Sequence, residues 1–98
     1  MARSVSFRPE AESEVVETRR WYEDRQVGLG AEFAAAVGDT ISRICDNPFA
    51  FPRVHGEIRR AILRRFPYAV YFRIAGDAVV VLAVHGRQDP QRWRSRRG

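Results

Sequence analysis

Lysine is missing from this sequence; all 17 of its basic side chains are arginine. A GC-rich codon bias gives that composition without any function behind it. Cysteine is nearly absent too. Cys45 stands alone, so no internal disulfide can form, and its place among apolar helix positions reads as core filler. Histidine occurs only at His55 and His85, too few and too far apart for a metal cluster, and no other cofactor is expected. There is no glycine-rich phosphate loop, no G-x-S-x-G elbow and no evident activating base for Cys45. No apolar run approaches the ~20 residues of a membrane helix. The opening Met1-Ala2-Arg3-Ser4 lacks the apolar segment of an export signal, so a cytoplasmic chain without membrane attachment is expected.

What is present suits one domain over residues 1–98. A hydrophobic content of 45% supports a real core. Charge is unevenly spread. Residues 1–52 hold 6 Arg against 9 Asp and Glu, a balance of −3, whereas residues 53–98 hold 11 Arg against 3, a balance of +8. A basic half opposite an acidic half points to an anionic partner on one face. The planar fork of arginine suits phosphate and carboxylate.

Periodicity predicts an α+β fold: a helical hairpin packed on a mainly antiparallel, twisted sheet, in the order β-α-α-β-β-β with a short C-terminal helix. Pro9 suits the first turn of a helix whose positive end is favoured by Glu10, Glu12 and Glu14. Ala11, Val15, Thr18 and Tyr22 share one face of it. Gly28 and Gly30 break the pattern. A second stripe runs through Leu29, Phe33, Val37, Ile41 and Ile44 until Pro48 and Pro52 end it. Strands are predicted over 57–64, 66–75 and 78–86. The last carries the unbroken run Val79 to Val84, which reads as central and buried on both faces. In the middle strand Tyr68, Val70, Phe72 and Ile74 alternate onto one face, covered by the helices. The opposite face carries Ala69, Tyr71 and Arg73 and reads as a concave site. Asp89-Pro90 can start a final turn bearing Trp93.

The candidate chemistry is sparse. Glu10, Glu12, Glu14, Glu17 and Glu23 read as a solvated helix face, which argues against a paired-carboxylate hydrolase. Arg59, Arg60, Arg64 and Arg65 lie on or beside one strand, and Arg87 follows another. They form either an anion site or a charged edge that guards the sheet against aggregation. His85 is either a catalytic group or a hydrogen-bonded histidine at a strand end. Trp93 either serves a site or packs the tail onto the core.

The stretch "FPYAVYFRIAGDAVVVLAVHGRQDPQRW", preceded by "IRRAILRRFPY" and an acidic helix ending in Trp21-Tyr22, resembles the C-terminal half of the RelE/ParE superfamily. These are toxins of bacterial toxin–antitoxin pairs, often described as plasmid stabilisation proteins. The resemblance extends over nearly the whole chain and takes in a short opening strand, Ser4 to Phe7. It implies no cofactor, and a cognate antitoxin whose acidic C-terminal segment folds across the toxin. The antitoxin- or target-binding set would be Arg59, Arg60, Arg64, Arg65, Tyr71, Arg73, Arg87 and Trp93. One branch cleaves messenger RNA on the ribosome without a metal. It uses sheet cations, an arginine after the last strand and a tyrosine in the tail. Arg87 and Arg60 fall near those cations, but Trp93 takes the place of the tyrosine. Ala69 stands where another arginine is common. His85 could substitute for the tyrosine, so His85 and Arg87 are the catalytic candidates. The other branch resembles ParE, acts on DNA gyrase and has lost the catalytic set; this chain fits it better. A ribosome-dependent ribonuclease and an inactive or repurposed nucleic-acid-binding relative are the alternatives.

Overall fold

The computed structural model describes residues 3–86. The order is β1 (Ser4–Phe7), α1 (Pro9–Arg25), α2 (Leu29–Asp46), a short 3-10 turn (Pro48–Ala50), β2 (Arg53–His55), β3 (Ile58–Ile62), β4 (Tyr68–Ala75) and β5 (Ala78–Gly86). The expected C-terminal helix falls outside the described residues, as do Arg87 and Trp93. The five strands form one mixed sheet in the order β1-β5-β4-β3-β2. β1 lies parallel to β5 and the remaining pairs are antiparallel.

The α1–α2 hairpin covers one face of the sheet. Pro9 stands in the first turn of α1, with Glu10 and Glu12 at its positive end and Arg25 in its last turn. Ala11, Val15 and Tyr22 face the core, as do Leu29, Phe33, Val37, Ile41 and Ile44 of α2. Gly28 makes the connection at φ +90°, a conformation glycine adopts without strain. Glu23 then closes the hairpin. Its two carboxylate oxygens accept the backbone N–H groups of Gly28 and Gly30, each at 3.0 Å, and so satisfy free donors at the start of α2.

Gly30 departs from expectation. It does not break the second helix but lies inside it, fully enclosed at the crossing with α1. A Cβ there would sit 2.6 Å from the carbonyl oxygen of Arg19. Backbone cannot yield as a side chain does. Gly30→Ala should therefore destabilise the fold by about 1–3 kcal/mol through overpacking. It would do so despite the ~1 kcal/mol that alanine normally gains over glycine in a helix. A urea denaturation midpoint at or above that of the wild type would contradict this packing.

The expected alternation in β4 holds. Tyr68, Val70, Phe72 and Ile74 pack into the helix-side core, and Ala69 and Tyr71 into a second cluster on the other face with Ile58, Leu82 and Ala83. Rings interlock above the sheet: Tyr22, Phe33, Phe66 and Tyr68 stand at centroid distances of 5.0–6.1 Å. Burial, with Tyr68 close by, raises the pKa of the Tyr22 hydroxyl.

β5 is interior and buried on both faces, as its apolar run predicts, although β4 is the middle strand of the five. A bulge shifts its parity. Tyr71 pairs with Ala83 and Phe72 with Val81, so Leu82 is the extra residue. Val84 thereby joins Val79 and Val81 on the helix side.

The strands differ in detail from the sequence reading, and β4 starts at Tyr68 rather than at residue 66. β3 ends at Ile62, and Arg64 and Arg65 belong to the turn that follows, with Arg65 at φ +73°. β2 is an additional strand. Its three residues, between Pro52 and the positive-φ Gly56, are too short to show alternation. Cys45 packs against the helix-side core, and burial pushes its thiol pKa up. It should react with iodoacetamide more slowly than free cysteine at pH 8. Labelling at the free-thiol rate would contradict its placement.

Candidate functional site

The structure divides the candidate arginines among three places. Arg59 is structural. Its Nη1 donates to the carbonyl of Phe51 at 2.6 Å and to that of Phe49 at 3.5 Å, and its guanidinium lies 5.3 Å from the Phe49 ring. It holds the 3-10 turn onto the sheet. Arg60 points to the opposite face of β3, directly across from Tyr71, and Arg73 follows Tyr71 on that same face. Both are half-buried. Arg64 and Arg65 are exposed in the β3–β4 turn, where Arg65 Nη2 reaches Glu32 Oε1 at 2.7 Å. An exposed pair of this kind contributes little to stability.

Tyr71 is only 1% exposed. It packs with Ile58, Leu82 and Ala83, and its ring centre stands 5.5 Å from that of His85. The face expected to be a concave site is thus closed at Ala69 and Tyr71, and the half-buried Arg60 and Arg73 reach its surface together with the exposed Ile62.

The largest departure concerns the acidic helix. Glu10, Glu12, Glu17 and Glu23 are exposed, but Glu14 is 8% exposed and His85 is 3% exposed. Glu14 Oε1 accepts the backbone N–H of Val84 at 2.9 Å, and its Oε2 lies 2.7 Å from His85 Nδ1. The topology explains why. β1 pairs with β5 only from Ala78 to Val81, because the chain then turns into α1. Arg8 N–H takes the Val81 carbonyl, and Glu14, further along α1, takes the next outward donor of β5. A buried backbone donor left unmet costs about as much as a lost hydrogen bond, so the carboxylate continues the edge where β1 stops. With Glu14 as a carboxylate both its oxygens accept, so the imidazole donates to it from Nδ1. Nε2 is buried and has no hydrogen-bond partner among the described residues.

Sequence reasoning missed Glu14 by grouping it with the other glutamates. The available signal was positional. Glu14 lies three residues after Ala11 and four before Thr18, on the apolar stripe rather than beside it. A polar pocket of about 160 Å³ opens beside the pair, lined by Glu14, Glu17, Thr18, Tyr68, His85 and Gly86. Among the described residues no group of three or more His, Cys, Asp or Glu could hold a metal, and no helix is long and apolar enough to cross a membrane.

The fold has known counterparts. It superposes on the chromosomal ParDE toxin–antitoxin system from P. aeruginosa with a TM-score of 0.73 at 14% identity, covering 87% of this chain and 96% of that one. The RelBE2 toxin–antitoxin complex of Mycobacterium tuberculosis gives 0.63 at 19% identity, covering 89% and 100%. An arginine double mutant of the E. coli toxin RelE in the free state gives 0.61 at 16% identity, covering 98% and 94%. Identities this low establish the shared architecture and nothing of the chemistry. No curated protein matches the sequence significantly. The model of the ParE toxin of the type II toxin–antitoxin system, parDE, however, matches residues 5–90. Sequence and architecture agree, and the chain belongs to the ParE toxin family of type II toxin–antitoxin systems.

Proposed function

We propose that this toxin acts in the cytoplasm on DNA gyrase, without cutting RNA, and is neutralised by a cognate antitoxin whose acidic segment docks on the arginine-bearing surface. The observation that carries the reading is the position of His85. It is the one titratable side chain that could replace the tyrosine of the ribonuclease branch, and it is 3% exposed with Nδ1 held by Glu14. A general acid or base must come within hydrogen-bond reach of the proton it moves. An enclosed imidazole does not meet a phosphodiester. Ala69, where that branch often has an arginine, is buried and carries no charge. Arg60 and Arg73 could still hold a phosphate, but holding the ground state does not accelerate cleavage.

Type II pairs provide the partner. A disordered acidic segment that folds on binding matches a half-chain balance of +8. The test is messenger cleavage on ribosomes, run with the wild type and with His85→Ala. No codon-dependent cleavage is expected from either. Cleavage by the wild type that His85→Ala abolishes would replace this reading with the ribonuclease one.

A further inference from the structure

Arg3, Phe49 and Arg59 meet on the helix side of the sheet. Phe49 stands in the 3-10 turn and is 62% exposed. Two guanidiniums approach its ring, that of Arg59 at 5.3 Å and that of Arg3 at 5.8 Å from the ring centre. Main-chain carbonyls hold both. Arg59 Nη1 donates to the carbonyls of Phe49 and Phe51, and Arg3 Nη1 donates to that of Gly76 at 3.3 Å. A carbonyl fixes a guanidinium without neutralising it, and each head keeps further N–H donors. Arg53 is the partner of Arg59 in the β2–β3 register and adds a third cation, 3.6 Å from Glu57 in an exposed pair. Such a pair is weak and screened by salt.

The cluster is separate from the surfaces described above. Gly76 precedes β5, whereas His85 lies near the far end of that strand. Arg59 stands across from Phe72 on the helix side, whereas Arg60 stands across from Tyr71 on the other.

Cations already held in place bind an anion with less side-chain ordering than mobile ones. An exposed ring beside them suits a ligand that brings a planar face and negative charge together. An acidic peptide would use the cations and leave the ring idle. A base in a duplex has its faces stacked on its neighbours. An unpaired nucleotide offers both features. We propose that Arg3, Phe49 and Arg59 form a contact site for single-stranded nucleic acid, with a base stacked on the open part of the Phe49 ring and the flanking phosphates on the two guanidiniums. The site stands apart from the gyrase reading, and its test contains no gyrase.

The experiment titrates the full chain into a fluorescent oligothymidylate of about eight nucleotides, within the ~4–16 that one small domain covers, and follows anisotropy. Saturable binding is expected. Phe49→Ala should weaken it about fivefold or more, because the stacking platform is lost. Phe49→Trp, with a larger ring, should bind at least as tightly as the wild type. Arg3→Gln should weaken binding and make the slope of log K against log salt shallower by about 0.7, the value for one phosphate contact on a single strand. Neither Phe49 nor Arg3 is buried, so these variants keep the fold. Arg64→Gln with Arg65→Gln removes two exposed charges beyond the other end of β3 and controls for the general attraction of a chain of net charge +5. At a salt concentration where the screening length is ~8 Å, this double variant should bind within about twofold of the wild type.

A duplex of the same length and an oligoglutamate of the same charge represent the competing ligand classes. Both should bind more weakly and respond little to Phe49→Ala. The site is overturned by any of three results: no saturable binding of the oligothymidylate, equal binding by the wild type and Phe49→Ala, or a duplex or oligoglutamate that binds as tightly with the same dependence on Phe49.

Discussion

Glu14→Ala is expected to lower the stability of the fold by about 3–5 kcal/mol, the range for removing one side of a buried, hydrogen-bonded pair. The change strands two donors at once. Val84 N–H and His85 Nδ1–H both end on this carboxylate, and both residues are buried. An unmet buried donor costs ~1–3 kcal/mol, so the two together reach the same range. Position in the fold makes the loss global. Glu14 is where α1 is fastened to β5 beyond the end of β1, and β5 is the strand on which both core clusters rest. For a domain of this size each 1 kcal/mol moves the melting temperature by ~4–8 °C, so a fall well above ten degrees is expected. Glu17→Ala, one turn further and exposed, should stay within ~0.5 kcal/mol of the wild type. Equal melting temperatures for Glu14→Ala and the wild type would show that the carboxylate merely lies near those donors.

Charge reversal of Arg60, Arg64 and Arg65 to Glu should weaken binding of the cognate antitoxin segment by several kcal/mol. Losing one partner of a desolvated charge pair typically costs ~2–5 kcal/mol, and reversal adds repulsion. The three side chains should not contribute equally. Arg60 is half-buried and opposite Tyr71, so its charge acts where water is scarce. Arg64 and Arg65 are exposed, and Arg65 must first leave Glu32. Most of the effect should thus reside in Arg60→Glu, with the turn arginines altering mainly the association rate and its salt dependence. Calorimetry of the single and triple variants measures this directly. Unchanged affinity in the triple variant would remove this surface from the antitoxin interface.

The sequence made the helical hairpin and three of the strands legible because each has a clean period. Phe33, Val37, Ile41 and Ile44 recur at helical spacing, and Tyr68 to Ile74 alternates by two, and those are the residues that face the core. The basis for the hidden parts is equally specific. β2 is three residues long and carries no period. The bulge at Leu82 reverses the parity of Val84 and His85, and nothing in a run of branched apolar residues announces it. Gly30 reads as a helix breaker because its function, close approach to the Arg19 carbonyl, depends on a second helix.

The site was less legible than the fold. Four arginines adjacent in sequence appear as one charged strand. A strand end and a turn separate them, and Arg59 is spent on holding Phe49 and Phe51. Glu14 and His85 are 71 residues apart, and only the parallel pairing of β1 with β5 brings them together. A glutamate on an acidic helix and a histidine at a strand end are each unremarkable alone. Their meeting is a property of topology.

The measurement that tests the proposed function most directly is supercoiling of relaxed plasmid by purified DNA gyrase in the presence of this chain. The account predicts a concentration-dependent loss of supercoiled product, reversed when the cognate antitoxin is added in equimolar amount. Full supercoiling in the presence of excess folded toxin would contradict it.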